Sequence, residues 1–142
     1  MKSYILYLFF VLAVFNAKSQ ENKTLIFRFD FQDFFVKDTV SLSINGHLVL
    51  NKKVVTSDFW YGLTDAVIRV YLYRGKGLIK IGKDSIITKR ISTPIKLKAT
   101  VNGKESKYKI NLEKGKYTGI SKKDKNIYEL IFYQSKNPFE YY

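Results

Sequence analysis

Two Asn-Gly dipeptides, Asn45-Gly46 and Asn102-Gly103, each stand between stretches that alternate apolar and polar residues. Asn-Gly supplies the two positive φ angles of a type I′ turn, whose twist matches a two-residue β-hairpin. Period-two alternation on either side is the pattern of half-buried strands. Around Asn102-Gly103, the segments Pro94 to Val101 and Lys104 to Glu113 are predicted to pair. A two-residue turn then sets Ala99 opposite Ser106, Leu97 opposite Tyr108 and Ile95 opposite Ile110. The other face sets Lys98 opposite Lys107 and Lys96 opposite Lys109. A one-residue slip would turn all four lysines inward, so the pattern itself enforces the register. Around Asn45-Gly46, Val40, Leu42 and Ile44 point inward, with Leu42 predicted opposite Val49 and Ile44 opposite His47.

The rest of the chain repeats this alternation. Thr24 to Phe31 sets Leu25, Phe27, Phe29 and Phe31 on one face and Arg28 and Asp30 on the other. Ala66 to Tyr73 reads as a long strand, followed by a basic turn at Arg74-Gly75-Lys76-Gly77 and shorter strands at Leu78 to Ile81 and Ser85 to Ile91. Lys116 to Ser121 and Ile127 to Tyr133 flank a charged turn and form a last hairpin. Helical periodicity is nearly absent. Short strands at regular spacing with turn signals between them indicate a sandwich or barrel. The expectation is all-β: a single antiparallel β-sandwich, Ig-like or prealbumin-like, of about eight strands.

An address precedes the domain. Lys2, the twelve-residue apolar run Tyr4 to Phe15 and the small-x-small Ala17-Lys18-Ser19 make residues 1–19 a cleaved secretory signal peptide, leaving residues 20–142 as one domain. The run is shorter than the roughly 20 residues a membrane-spanning helix needs. The chain has no cysteine. That excludes disulfides, a thiol nucleophile, a cysteine metal site and a lipid carried on a cleavage-point cysteine. The implied location is secreted or periplasmic, in soluble form.

Charge then selects partners. The chain holds 25 Lys plus Arg against 12 Asp plus Glu; Lys2 and Lys18 leave with the signal, so 23 cations face 12 acids, a net of +11. Such an excess governs solubility and association rather than fold. Outside the cytoplasm it points to glycans or other anionic surfaces, with no nucleic acid expected. Like charges directly opposite one another in a sheet are mildly destabilising. The tetrad Lys96, Lys98, Lys107 and Lys109 is therefore either an anion-binding face or a solvated face that discourages edge-to-edge pairing.

Catalysis has few parts to draw on. His47 is the one histidine, set beside a turn, and no Gly-x-Ser-x-Gly elbow is present. Zinc sites need several His or Cys ligands. Asp30, Asp33 and Asp38 lack the spacing of a calcium loop. No enzyme, cofactor or metal is expected. The candidate ligand site is Ser57 to Asp65, which holds Asp58, Phe59, Trp60, Tyr61 and Asp65. Aromatic plates suit the apolar face of a sugar, and carboxylates suit its hydroxyl rim. Trp60 is alternatively a core plug, since aromatics dominate cores. Its solvent exposure separates the two.

Ile110-Asn111-Leu112-Glu113-Lys114-Gly115-Lys116-Tyr117 resembles the apolar-x-Leu-x-x-Gly-x-Tyr segment of prealbumin-like modules, such as the regulatory domains attached to some carboxypeptidases. The resemblance implies that Gly115 turns the chain between two strands and that Tyr117 packs into the core. Those modules are structural or binding domains and carry no catalytic set. The expected function is a non-enzymatic binding module for a glycan or anionic surface ligand. A structural or protein-interaction component of the cell envelope is the alternative, and a secreted hydrolase a more distant one.

Overall fold

The computed structural model describes residues 22–58, 60, 62–88, 91–125 and 129–139. The signal-peptide assignment lies outside them. The described residues form ten strands and no helix: β1 Thr24–Phe31, β2 Asp38–Ile44, β3 His47–Val55, β4 Val67–Tyr73, β5 Lys76–Ile81, β6 Asp84–Thr88, β7 Ile95–Val101, β8 Lys104–Ile110, β9 Tyr117–Lys122 and β10 Leu130–Ser135. They make a six-stranded sheet, ordered β10-β9-β1-β4-β5-β6, and a four-stranded sheet, ordered β3-β2-β7-β8.

Two parts of the expectation change. The strands number ten rather than about eight, because every alternating segment forms a strand of its own, the short ones included. Arg74 and Gly75, with φ angles of 49° and 73°, join β4 to β5 in two residues, where a longer basic turn was expected. The sheets are also not wholly antiparallel, since β1 runs parallel to β9. Parallel neighbours need a long crossover, and here most of the chain lies between them. No local pattern records such a pairing.

The Asn102-Gly103 hairpin has the predicted register throughout, from Ile95 opposite Ile110 to Ala99 opposite Ser106. The Asn45-Gly46 hairpin does not. Ile44 faces His47, but Leu42 faces Leu50 rather than Val49. The ladder shifts between Val40 and Leu42 and again between Leu42 and Ser43. The extra residues lie on β3, where Lys52 has φ 47° and donates its N–H to Ser41 Oγ at 2.9 Å. A bulge of this kind accommodates a strand longer than its partner.

One apolar cluster serves both sheets. Phe27, Phe29 and Phe31 of β1, Ile68 and Val70 of β4 and Ile120 of β9 join Leu42 and Ile44 of β2 and Leu97 and Ala99 of β7. Phe29 meets Phe31 edge to face at 5.2 Å between centroids, and Phe31 meets Phe35 at 5.5 Å. Fully burying one such side chain stabilises the fold by roughly 1.5–3 kcal/mol. Truncating Phe29 to alanine should cost about 3–5 kcal/mol, because a void is added to the lost burial. On the face of β1 opposite the phenylalanines, Asp30 is only 1% exposed. Arg28 Nε donates to Asp30 Oδ1 at 2.9 Å and so compensates the buried charge. No helix of the described residues is long and apolar enough to cross a membrane.

Candidate anion-binding face

The β7–β8 hairpin builds this face. Alternation sends Leu97 and Ala99 into the core and leaves Lys96, Lys98, Lys107 and Lys109 exposed. Lys98 stands opposite Lys107, and Lys96 opposite Lys109. β2 lies on the other side of β7 and sets Ser43 beside Lys98, with Leu48 of β3 beyond it. The row across the sheet is therefore Leu48, Ser43, Lys98, Lys107. Ser43 is short, so the long lysine stems rise beside it and enclose a shallow groove of about 520 Å³, lined by the four lysines, Ser43 and Gly46 among others. The stems supply apolar walls while the ammonium groups remain in water. A second groove of about 510 Å³ continues along the hairpin past Pro94, Asn111 and Glu113 and shares Lys109 with the first.

One acid bounds the face. Glu105 reaches Lys98 Nζ at 3.2 Å and Lys107 Nζ at 3.3 Å. Hydrogen bonds from Lys98 first, and from Lys107 second, hold its carboxyl below the usual range. Lys96 and Lys109 take part in no ion pair among the described residues. The tetrad thus keeps a positive surplus within one groove.

The aromatic segment is arranged differently. Asp58 N–H donates to Leu63 O at 2.8 Å, Gly62 N–H donates to Asp58 O at 3.0 Å, and the loop closes on itself. Asp58 Oδ1 accepts the Trp60 N–H at 2.8 Å. Trp60 is 77% exposed, so it does not plug the core. Asp58 is exposed, and Asp65 is exposed and paired with Lys53 Nζ at 2.8 Å. Phe59 and Tyr61 lie outside the described residues. This loop leaves β3 at Val55, which pairs with Asp38 at the start of β2, whereas the lysine groove surrounds Ser43 near the end of β2. Five residues of strand span about 17 Å. The structure therefore brings the four lysines together and leaves Trp60 apart from them.

The remaining candidates have ordinary surroundings. His47 is exposed at the start of β3. Asp30 is bonded to Arg28, Asp38 to Lys122, and Asp33 Oδ2 accepts from Ser121 Oγ at 3.4 Å. No group of three or more potential metal ligands occurs among the described residues. Gly115 turns the chain with φ 139°. Tyr117 is half-buried and alternates with the core residues of β9, so it lies away from Ile120 and the shared core, with Lys116 Nζ 5.7 Å from its ring centroid. Comparison with known proteins finds no matching family model, no similar curated protein and no similar solved structure.

One cationic row escaped the sequence reading. Arg28, Arg69 and Lys80 become neighbours across β1, β4 and β5. The only sequence signal was an arginine set singly inside each of two strongly apolar strands.

Proposed function

We propose that this protein is an exported, non-enzymatic β-sandwich module that binds an anionic glycan or a comparable anionic surface ligand. The observation that carries the reading is the lysine groove of β7 and β8, lined by Lys96, Lys98, Lys107 and Lys109 together with Ser43. Such a groove suits a sugar chain, whose ring faces contact the stems while its acidic groups meet the ammonium ions. The exposed Trp60 supports the reading as a separate contact, since an indole in water offers a large stacking area with a polar handle. The two sheets around one core fit the sandwich architecture, and the N-terminal apolar run supports export.

The test is binding of a sulfated oligosaccharide and of its uncharged parent. The sulfated form should bind more tightly. Its affinity should fall as ionic strength rises from about 0.01 M to about 0.15 M, over which the screening length shortens from about 30 Å to about 8 Å. Replacing all four lysines with alanine should abolish the preference for the sulfated form. A salt-independent affinity, or full binding by the four-alanine variant, would remove the groove from the account.

A further inference from the structure

The outer face of the six-stranded sheet carries a second cationic arrangement, made of arginine rather than lysine. Arg28 pairs with Tyr117 on one side and with Arg69 on the other, and Arg69 pairs with Lys80. Each alternates with core residues: Arg28 with Phe27 and Phe29, Arg69 with Ile68 and Val70, Lys80 with Ile79. All three therefore point away from the core, in one line across β1, β4 and β5. Neighbouring strands are about 4.8 Å apart, so the three cations fall within about 10 Å at their backbone origins.

Three features separate this row from a solvated surface. Arg28 is held in place: its Nε donates to Oδ1 of the buried Asp30 at 2.9 Å, and its two terminal guanidinium nitrogens have no hydrogen-bonding partner among the described residues. Arg69 and Lys80 are half-buried and have no hydrogen-bonding or ionic partner among the described residues. Arg28 and Arg69 stand directly opposite each other, an arrangement that like charges make unfavourable. Asp30 balances Arg28, so among the described residues the uncompensated charge is that of Arg69 and Lys80, two units. The planar guanidinium presents paired donors that match an oxyanion, which lysine alone does not.

We propose that Arg28, Arg69 and Lys80 form a binding site for a phosphate monoester dianion on this sheet. A monoester carries about −1.5 to −2 charges at pH 7, which matches the surplus, and its three terminal oxygens accept from both guanidinium groups and the ammonium. Tyr117 and Tyr71 flank the row and would cover the rest of the ligand. This site lies on the sheet that does not contain the lysine groove and is independent of it.

Methyl phosphate and dimethyl phosphate are the probes, titrated into the folded protein at neutral pH while the Nε–Hε signals of Arg28 and Arg69 are followed by NMR. Methyl phosphate, the dianion, should shift both signals to saturation, and dimethyl phosphate, a monoanion, should bind at least about tenfold more weakly. Arg69→Gln and Lys80→Gln should each weaken methyl phosphate by about tenfold, the scale of one lost charge-assisted hydrogen bond. Lys80→Gln keeps the test open should Arg69→Gln fail to fold. The pair Lys98→Ala with Lys107→Ala should leave methyl phosphate binding unchanged. Equal affinity for the two esters overturns the proposal, as does binding that survives both Gln variants or disappears in the lysine pair.

Discussion

The Lys122 ammonium sits 3.1 Å and 3.3 Å from the two carboxylate oxygens of Asp38, and the two side chains are 2% and 5% exposed. Lys122 ends β9 in one sheet, and Asp38 begins β2 in the other. The pair therefore ties the sheets together at one end of the core. Its remaining valences are satisfied: Lys122 Nζ also donates to Lys125 O at 3.0 Å, and Asp38 accepts from Asn102 Nδ2 at 2.6 Å and from Val36 N–H at 2.8 Å.

Breaking this pair from one side leaves a buried charge without its counter-ion. Lys122→Met should lower stability by about 3–5 kcal/mol, and Asp38→Leu by a similar amount. The double variant should be more stable than the sum of the two losses, because neither charge then remains buried. Denaturant unfolding of the four proteins measures the coupling. Strict additivity would show that the pair does not act across the sheets.

Thr118 is 0% exposed, and its hydroxyl has no hydrogen-bond partner among the described residues. An unmet buried hydroxyl is unfavourable by about 1–3 kcal/mol. Thr118→Val keeps the β-branched shape and removes the polar atom. We expect stabilisation by about 1 kcal/mol, read as a higher midpoint in thermal or denaturant unfolding. A loss of stability would mean that the hydroxyl is satisfied in solution.

Gly115 combines φ 139° with a backbone neighbour: a β-carbon there would overlap Ser135 O and C and Lys136 N. Backbone, unlike the end of a long side chain, cannot swing aside cheaply. Gly115→Ala should therefore destabilise by more than about 2 kcal/mol, with strain at a glycine-only conformation and displacement of β10 acting together. The neighbouring Gln134, whose Nε2 donates to Gly115 O at 2.6 Å, should become more exposed. Unfolding midpoints and hydrogen exchange at Ser135 and Lys136 check both effects.

Glu105 gives the lysine groove a pH dependence. Its carboxyl is held below the ordinary value of 4.5, chiefly by Lys98 and then by Lys107. A depressed acid keeps its partners engaged above the unfolded value and releases them as pH falls through the folded one. Below that point Lys98 and Lys107 are free for an external anion. Sulfate, which stays ionised there, should bind more tightly as pH falls through that lowered value. Glu105→Gln should raise sulfate affinity at neutral pH by about two- to fivefold, the scale of one exposed ion pair, and flatten this part of the profile. An unchanged profile in the variant would assign the dependence to other acids.

Legibility followed the range of the interaction. The Asn102-Gly103 hairpin was readable pair by pair, from Lys96–Lys109 to Ala99–Ser106, because a two-residue turn and strict alternation leave one register. The Asn45-Gly46 hairpin was readable only near its turn. Farther out, the bulge at Lys52 shifted Leu42 onto Leu50, and nothing in the local pattern marks it. The exposure of Trp60 was left open by its composition and was decided by a loop that closes through its own backbone, Asp58 to Leu63. The row Arg28, Arg69, Lys80 needed the order of three strands, which no segment contains by itself.

By itself the sequence determined that the chain is all-β, where its tight turns fall, that β7 and β8 present four lysines on one face, and that no thiol chemistry is available. These follow from backbone periodicity, turn stereochemistry and residue inventory, all local or compositional. Tertiary structure alone decided that β1 lies parallel to β9, that Asp30 and Lys122 are buried, and that Lys98 stands beside Ser43 while Trp60 does not. Those outcomes depend on which strands become neighbours. That choice is made by the shared core, where Phe27, Phe29 and Phe31 on one face of β1 must be covered by the second sheet.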